Sequence, residues 1–296
     1  EKQPVSAWAD RALAERNPRA SVEALIALAR LGDKALQSKI VAALSRLELK
    51  AMDPSMSLPL LRAWQLVFTR MGKPDAATCR EIAAYLGDFF PQEELLVNRE
   101  LVALLVFLDS TDVVAKTVPL LAVAGLRDAV PAETDRLLAR NALFGAVARA
   151  AATTHPDRQQ ISYAVALRMA KIGWTPRLRR DYFAWFSRAY RWQGGSSFSG
   201  YLNAIRADAL QHIVSDPAER HELDLASKRP SPGFPANAVA PKGPGRNYTV
   251  EDATKIVEDG LRGRDFSQGK AMFAATACIV CHRFNGDGGG VGPEIS

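Results

Sequence analysis

Residues 24–33 read Ala-Leu-Ile-Ala-Leu-Ala-Arg-Leu-Gly-Asp, and this stretch decides the fold class of the chain. Its apolar side chains recur at the three- and four-residue spacing that places them on one face of an α-helix. The glycine that follows the last leucine is a typical helix stop. Residues 34–49 continue with the same spacing. The two stretches together predict a pair of helices separated by a short turn.

The same pattern extends from about Pro4 to Ser227, with short glycine and proline breakers and no convincing strand. Helix pairs of about forty residues are typical of HEAT-like repeats, in which each pair buries its apolar face against the next. The sequence therefore predicts an all-α fold with a HEAT-like helical repeat array, and an irregular helical bundle is the alternative. The other predicted helices span residues 58–71, 75–86, 92–108, 112–124, 133–152, 157–172, 177–192 and 198–214.

The composition is that of a globular protein, because 48% of the 296 residues are hydrophobic and 24% are charged. No apolar run is long enough to span a bilayer, and no secretory leader opens the chain, so we expect no transmembrane segment.

Between Ser227 and Tyr248 proline, glycine and basic residues replace apolar ones. This change predicts a helical domain over 1–227, a Pro/Gly-rich linker over 228–248 and a second domain over 249–296, which Thr249 opens as a helix N-cap.

The second domain contains the motif Cys278-Ile-Val-Cys281-His282. C-x-x-C-H is the attachment pattern of c-type haem. Two thiols on one helical turn can form thioethers with the two haem vinyl groups, and the histidine that follows can bind the iron. The sequence thus predicts covalent haem c, with Cys278 and Cys281 as anchors and His282 as the proximal ligand.

Other interpretations of the motif are a redox dithiol, half of a zinc site, and a chance match. No βαβ pattern surrounds the motif, and the third cysteine, Cys79, lies far upstream in a helical segment. We expect Cys79 to be a buried structural thiol. His155, His212 and His221 stand in no metal-ligand motif, and we expect capping or surface roles for them.

The residues around the motif resemble class I cytochromes c. Gly269 and Phe273 correspond to the first helix of that family, where a small residue permits close helix packing and an aromatic ring covers the haem edge. The resemblance also implies that the Pro293 carbonyl accepts the Nδ1 proton of His282, a contact that fixes the tautomer of the ligand. Phe273 and Pro293 are therefore expected at the haem site.

The run from Cys281 to Ile295 resembles the haem-binding domain of Planctomycetes and Verrucomicrobia proteins, in which a helical-repeat region precedes a cytochrome c module. That family implies export to the periplasm and a redox partner, such as a β-propeller similar to quinone-dependent sugar dehydrogenases. Such domains continue to a distal ligand, usually methionine, so we expect a fragment, completion by another chain, or an open sixth position. Met272 is expected to be core packing rather than an axial ligand, and so are Met52, Met56, Met71 and Met169.

The segment 174–201 interleaves aromatic and arginine side chains, a pattern that can bind single-stranded nucleic acid. Tyr182, Trp185, Phe186 and Ala189 fall at helical spacing, so we expect a buried face and no nucleic acid partner. The net charge of +6 is modest.

These observations predict a c-type haem electron-transfer protein, and the family resemblance implies that its electrons come from a partner or fused dehydrogenase of sugars or alcohols. It would be an electron-transfer subunit rather than a self-contained enzyme. The alternatives are a helical interaction scaffold with an incomplete haem segment and a haem enzyme of the peroxidase type.

Overall fold

The computed structural model describes residues 3–49, 52, 54–123, 125, 155–192, 197–229, 247–260, 263, 265–288 and 292–295. Tertiary contacts divide the chain into two compact units, residues 1–229 and residues 230–296. Regular structure in the described residues is almost entirely helical, which confirms the predicted all-α class. The exception is one two-stranded hairpin in the second unit.

The described residues of the first unit form helices, most of them separated by short turns. Several begin at a side-chain N-cap, because Asn17, Asp75, Asp157, Thr175 and Asp216 each accept a hydrogen bond from a backbone N–H of the first turn. The helices are α1 (Ala9–Ala14), α2 (Pro18–Leu31), α3 (Gln37–Ser45), α4 (Pro54–Met71), α5 (Ala76–Gly87), α6 (Leu95–Phe107), α7 (Val113–Thr117), α8 (Arg158–Leu167), α9 (Pro176–Ala189), α10 (Phe198–Ile213) and α11 (Pro217–Ser227), with 3-10 turns at Val5–Ala7, Lys34–Leu36 and Val118–Ala122.

Within the described residues of the first unit, the buried apolar side chains form one continuous core. The predicted buried face of α9 is confirmed, since Tyr182, Trp185, Phe186 and Ala189 are all fully buried. Their polar atoms are satisfied internally: the Tyr182 hydroxyl donates to the Ala164 carbonyl over 2.8 Å, and Trp185 Nε1 donates to the side chain of Gln160 over 2.9 Å. The interleaved aromatic residues of this helix thus form core.

Some predicted boundaries in the first unit differ from the structure. The predicted helix over 92–108 begins only at Leu95. The Asn98 side chain accepts a hydrogen bond from the Gln92 N–H and donates one to the Gln92 carbonyl, and these two bonds hold Gln92 outside the helix. The predicted helix over 34–49 starts as a 3-10 turn. Helix α11 was not predicted, although Asp216 and Pro217 are a usual helix start. The helix predicted over 133–152 lies outside the described residues.

The described residues of the second unit form fewer helices and bury fewer side chains than those of the first. It contains α12 (Val250–Gly260), α13 (Phe266–Ala275), α14 (Cys278–Cys281) and the antiparallel strands β1 (Arg283–Phe284) and β2 (Asp287–Gly288). Among its described hydrophobic residues only Ala275 is buried. Most of the linker predicted over 228–248 lies outside the described residues. Packing in this unit is therefore concentrated around α13, α14 and the hairpin.

Candidate functional site

The predicted motif forms the short helix α14 and the residue after it. Cys278 and Cys281 are three positions apart on one helical turn, so both side chains leave the same side of the helix. Both cysteines are free and exposed. The His282 backbone N–H donates to the Cys278 carbonyl over 2.9 Å, which ties the histidine to the start of the turn. The helical turn thus holds two thiols and an imidazole close together within five consecutive residues.

The His282 ring is held through one of its two nitrogens. Its Nδ1 atom lies 2.9 Å from the carbonyl oxygen of Pro293. A carbonyl can only accept a hydrogen bond, so Nδ1 is the donor, and in the neutral ring Nε2 then has the free lone pair. The contact expected between His282 and Pro293 is present in the structure. The imidazole is therefore in the tautomer that binds a metal through Nε2.

Pro293 reaches His282 because the chain returns alongside the motif. The Gly292 N–H donates to the Cys281 carbonyl over 2.7 Å, and the Ile295 N–H donates to the Arg283 carbonyl over 3.0 Å. Arg283 and Glu294 form a parallel bridge. Residues 292–295 consequently run beside residues 281–283, and backbone hydrogen bonds fix the position of the Pro293 carbonyl.

Two glycines permit this close approach. A Cβ atom at Gly292 would lie 2.8 Å from both Nδ1 and Cε1 of the His282 ring. At Gly288, where φ is +120°, a Cβ atom would lie 2.2 Å from the His282 carbonyl oxygen. Both distances are shorter than any ordinary carbon contact, so neither position accepts a larger residue without movement. Gly288 and Gly292 thus form a cradle around His282.

The hairpin β1–β2 turns through Asn285 and Gly286, whose φ values are 48° and 83°. Two central residues with positive φ and the sequence Asn-Gly are typical of a type I′ turn, whose twist matches that of a hairpin. The hairpin was not predicted, although the Asn-Gly pair was the available signal. It is also tied to α13 by an exposed ion pair of 2.6 Å between Lys270 and Asp287. The hydrogen bond from Lys270 lowers the pKa of Asp287.

Phe273 faces an apolar groove between α13, α14 and the hairpin. The groove has a volume of about 410 Å³. The Phe273 and Phe284 rings are 6.3 Å apart, and the Phe266 and Phe284 rings are 5.8 Å apart. The cysteines and His282 do not line the groove, whose apolar and small residues are Phe266, Gly269, Phe273, Ile279, Phe284 and Ile295. Packing of Phe273 against an attached haem stays a prediction.

Two expectations for helix α13 are wrong. An added Cβ at Gly269 would meet no heavy atom within 4 Å, so this glycine makes no close helix contact within the described residues. Met272 is 37% exposed rather than core, because its side of α13 has no packing partner that covers it in the described residues. The expectation also fails for Met169, which is 45% exposed near the end of α8, whereas Met56 and Met71 are buried as predicted.

The remaining candidate residues lie in the first unit. Cys79 is buried as predicted, and its thiol donates to the Pro74 carbonyl over 3.4 Å. Burial raises the pKa of Cys79, which keeps the thiol protonated. The described residues contain no group of three or more His, Cys, Asp or Glu side chains arranged to hold a metal ion, and His155, His212 and His221 belong to none.

Sequence reasoning missed the two residues that precede the motif. Ala277 adopts left-handed backbone angles, φ 61° and ψ 11°, between α13 and α14. The Thr276 side chain lies 3.3 Å from the Cys278 sulfur. No sequence signal identifies an alanine with positive φ, because this conformation is unfavourable for residues with a Cβ.

Comparison with known proteins gives no relative: no protein-family profile, no curated protein and no solved structure matches this chain. Within the described part of the chain, no helix combines the length and apolar character needed to cross a bilayer.

Proposed function

We propose that residues 249–296 begin a c-type haem module and that the protein transfers single electrons. The observation that carries this proposal is the geometry of His282. Its Nδ1 proton is donated to the Pro293 carbonyl, so Nε2 is free for iron, and two unpaired thiols lie on the preceding helical turn. A redox dithiol would need neither an oriented imidazole nor a glycine cradle around it.

The two thiols and the imidazole of the motif are chemically suited to hold haem. Cys278 and Cys281 would hold the haem through thioethers, and His282 Nε2 would bind its iron. The bound haem supplies one-electron redox chemistry. The Pro293 carbonyl makes the imidazole a stronger donor, and second contacts of this kind tune the potential of the iron. Gly288 and Gly292 keep the ring and the carbonyl at hydrogen-bonding distance.

The exposure of the motif supports exchange of electrons with another protein. Cys278 and Cys281 are both exposed, whereas Cys79, which we assign no redox role, is buried. Electron transfer needs a short path between two redox groups, and attachment at exposed thiols leaves the group within reach of a docked partner. The partner we propose is a dehydrogenase of sugars or alcohols in the periplasm or another exported location. Its substrate class rests only on the family resemblance.

The first unit supplies the docking surface in this proposal, as a HEAT-like array. The packing of alternate helices supports a repeat-like arrangement, since α2 packs against α4, α4 against α6, and α6 against α8. The intervening helices α3 and α5 pack against α4 and α6. Stacking of helix pairs in series is the arrangement that gives repeat proteins their extended binding surfaces.

The proposal is tested by expressing the chain with a c-type maturation system and recording the reduced pyridine haemochrome spectrum. A double variant, Cys278→Ala with Cys281→Ala, should lose the covalent haem. Cys79→Ala is the matched control, because it also removes a thiol and should leave the spectrum unchanged. Voltammetry of the loaded protein should then show one reversible one-electron wave.

Absence of covalent haem in the parent chain would refute the proposal and favour a helical interaction scaffold. Covalent haem with rapid peroxide turnover and no reversible wave would favour the haem enzyme instead.

A further inference from the structure

The Thr276 hydroxyl stands between the end of helix α13 and the first thiol of the motif. Its Oγ1 atom donates to the Met272 carbonyl over 2.8 Å and lies 3.3 Å from the Cys278 sulfur. A hydroxyl has one proton, and here that proton is committed to a carbonyl that can only accept. The Cys278 thiol is therefore the donor, and its S–H points at Thr276 Oγ1.

The backbone around Thr276 fixes the same geometry. Thr276 is the C-cap of α13, and its N–H donates to the Met272 carbonyl over 2.9 Å. Ala277 follows in the left-handed region, which turns the chain directly into α14. A residue with a Cβ is unfavourable in this region, so the surrounding contacts must hold it there. The two bonds of Thr276 to Met272 and its contact with Cys278 span this turn.

The second thiol has no comparable contact. Within residues 265–288 and 292–295, the hydrogen bonds include none to the Cys281 sulfur. The two cysteines of one motif thus differ: the Cys278 sulfur lies beside a neighbouring hydroxyl, and the Cys281 sulfur has no hydrogen bond within the described residues. An effect of the Thr276 hydroxyl on thiol orientation should consequently be seen at Cys278 and not at Cys281.

We propose that Thr276 is a positioning residue for attachment of haem at Cys278, an inference that rests on the proposed function. In the attachment step the thiol adds across a haem vinyl group. A bond forms between sulfur and the inner vinyl carbon, the vinyl π bond breaks, and the thiol hydrogen passes to the terminal carbon. Atoms and electrons balance without an oxidant or reductant. Thr276 limits the rotation of the thiol before this addition.

The test uses the full chain in two single-cysteine backgrounds, Cys281→Ala, which leaves Cys278, and Cys278→Ala, which leaves Cys281. Each is combined with Thr276→Val, which keeps the shape of the side chain and removes the hydroxyl, and with Thr276→Ser, which restores it. Covalent haem per chain is measured by intact mass after a fixed time of maturation. An ordinary hydrogen bond of modest strength predicts about a threefold fall with Thr276→Val when only Cys278 is present.

The expected result is a fall in the Cys278-only background, recovery with Thr276→Ser, and no change in the Cys281-only background. A second measurement uses both cysteines: in loaded Thr276→Val protein, the fraction of Cys278 that iodoacetamide still alkylates should rise.

An equal fall in both backgrounds would show a general folding effect and overturn the inference, as would no fall in either. If the parent chain carries no covalent haem at all, the proposed function fails and this inference fails with it.

Discussion

The two units of this chain are held in shape by different interactions. In the first unit large apolar side chains are removed from water, and Trp64, Trp185, Tyr182 and Phe186 are all fully buried. In the second unit the apolar residues of α12 are exposed, with Val250 at 78% and Val257 at 56%. Its order near the motif comes instead from backbone hydrogen bonds and from glycines that permit close approach. The stability of the first unit therefore depends on apolar burial, whereas the geometry of the motif depends on a few backbone contacts.

The largest effect should come from the core of the first unit. Trp185→Ala removes a fully buried indole and leaves the side-chain amide oxygen of Gln160 without its donor. We expect a loss of about 3–5 kcal/mol in the free energy of unfolding, measured by urea denaturation. Leu225→Ala is the control, since Leu225 is 55% exposed and its removal should cost little. Equal losses for the two variants would contradict the burial that defines this unit.

A smaller but more local effect is expected from the cradle. Gly292→Ala introduces a Cβ only 2.8 Å from Nδ1 of His282, so the ring or the Pro293 carbonyl must move. We expect about a tenfold lower yield of covalent haem, the loss typical when an outer contact of a metal ligand is broken. Gly269→Ala is the matched control, because its Cβ meets no heavy atom within 4 Å. Unchanged loading in Gly292→Ala would show that the cradle is not required.

Asp224 in the first unit forms ion pairs with Arg206 and Lys228, and their contribution to the free energy of unfolding should depend on pH. Burial alone would raise the pKa of Asp224, but hydrogen bonds from Arg206 and Lys228 outweigh it, and the pKa is lowered from its ordinary value of 3.8. A carboxyl with a lowered pKa stabilises the fold above pH 3.8 and loses that contribution as pH falls through the folded pKa.

Asp224→Asn should therefore destabilise the protein at pH 7 by about 1 kcal/mol, and the difference from the parent should shrink below the ordinary aspartate pKa. Urea denaturation at neutral and acid pH measures this difference. A constant difference across pH would exclude the ionised carboxylate as its source.

The smallest effect is expected at the ion pair between α13 and the hairpin. Lys270 and Asp287 are 54% and 59% exposed, so solvent screens their attraction. Lys270→Ala should leave the melting temperature and the haem yield unchanged. A clear loss of haem in this variant would mean that the charged pair, rather than the backbone contacts, positions the hairpin.

Sequence patterns predicted the helices of the first unit well, because a buried helix face requires apolar residues at a fixed spacing. The stretch 198–214 is an example, since it forms α10 over Phe198–Ile213. Predictions failed where an individual side-chain contact or the extent of burial, rather than helical spacing, decided the outcome. Gln92 is kept out of α6 by the Asn98 side chain, and Met272 is exposed although we expected it to be core packing. Neither outcome is encoded in the spacing of neighbouring residues.

For the candidate site, the sequence by itself determined the donor atoms: two thiols and an imidazole at adjacent positions on the chain. It also pointed, through resemblance, to the contact between His282 and Pro293. Only the tertiary structure decided the tautomer of His282, the glycine contacts around its ring and the hydrogen bond between Cys278 and Thr276. The physical reason is that residue types and spacing fix which atoms are available, whereas their orientation depends on backbone angles such as that of Ala277 and on a chain return eleven residues later.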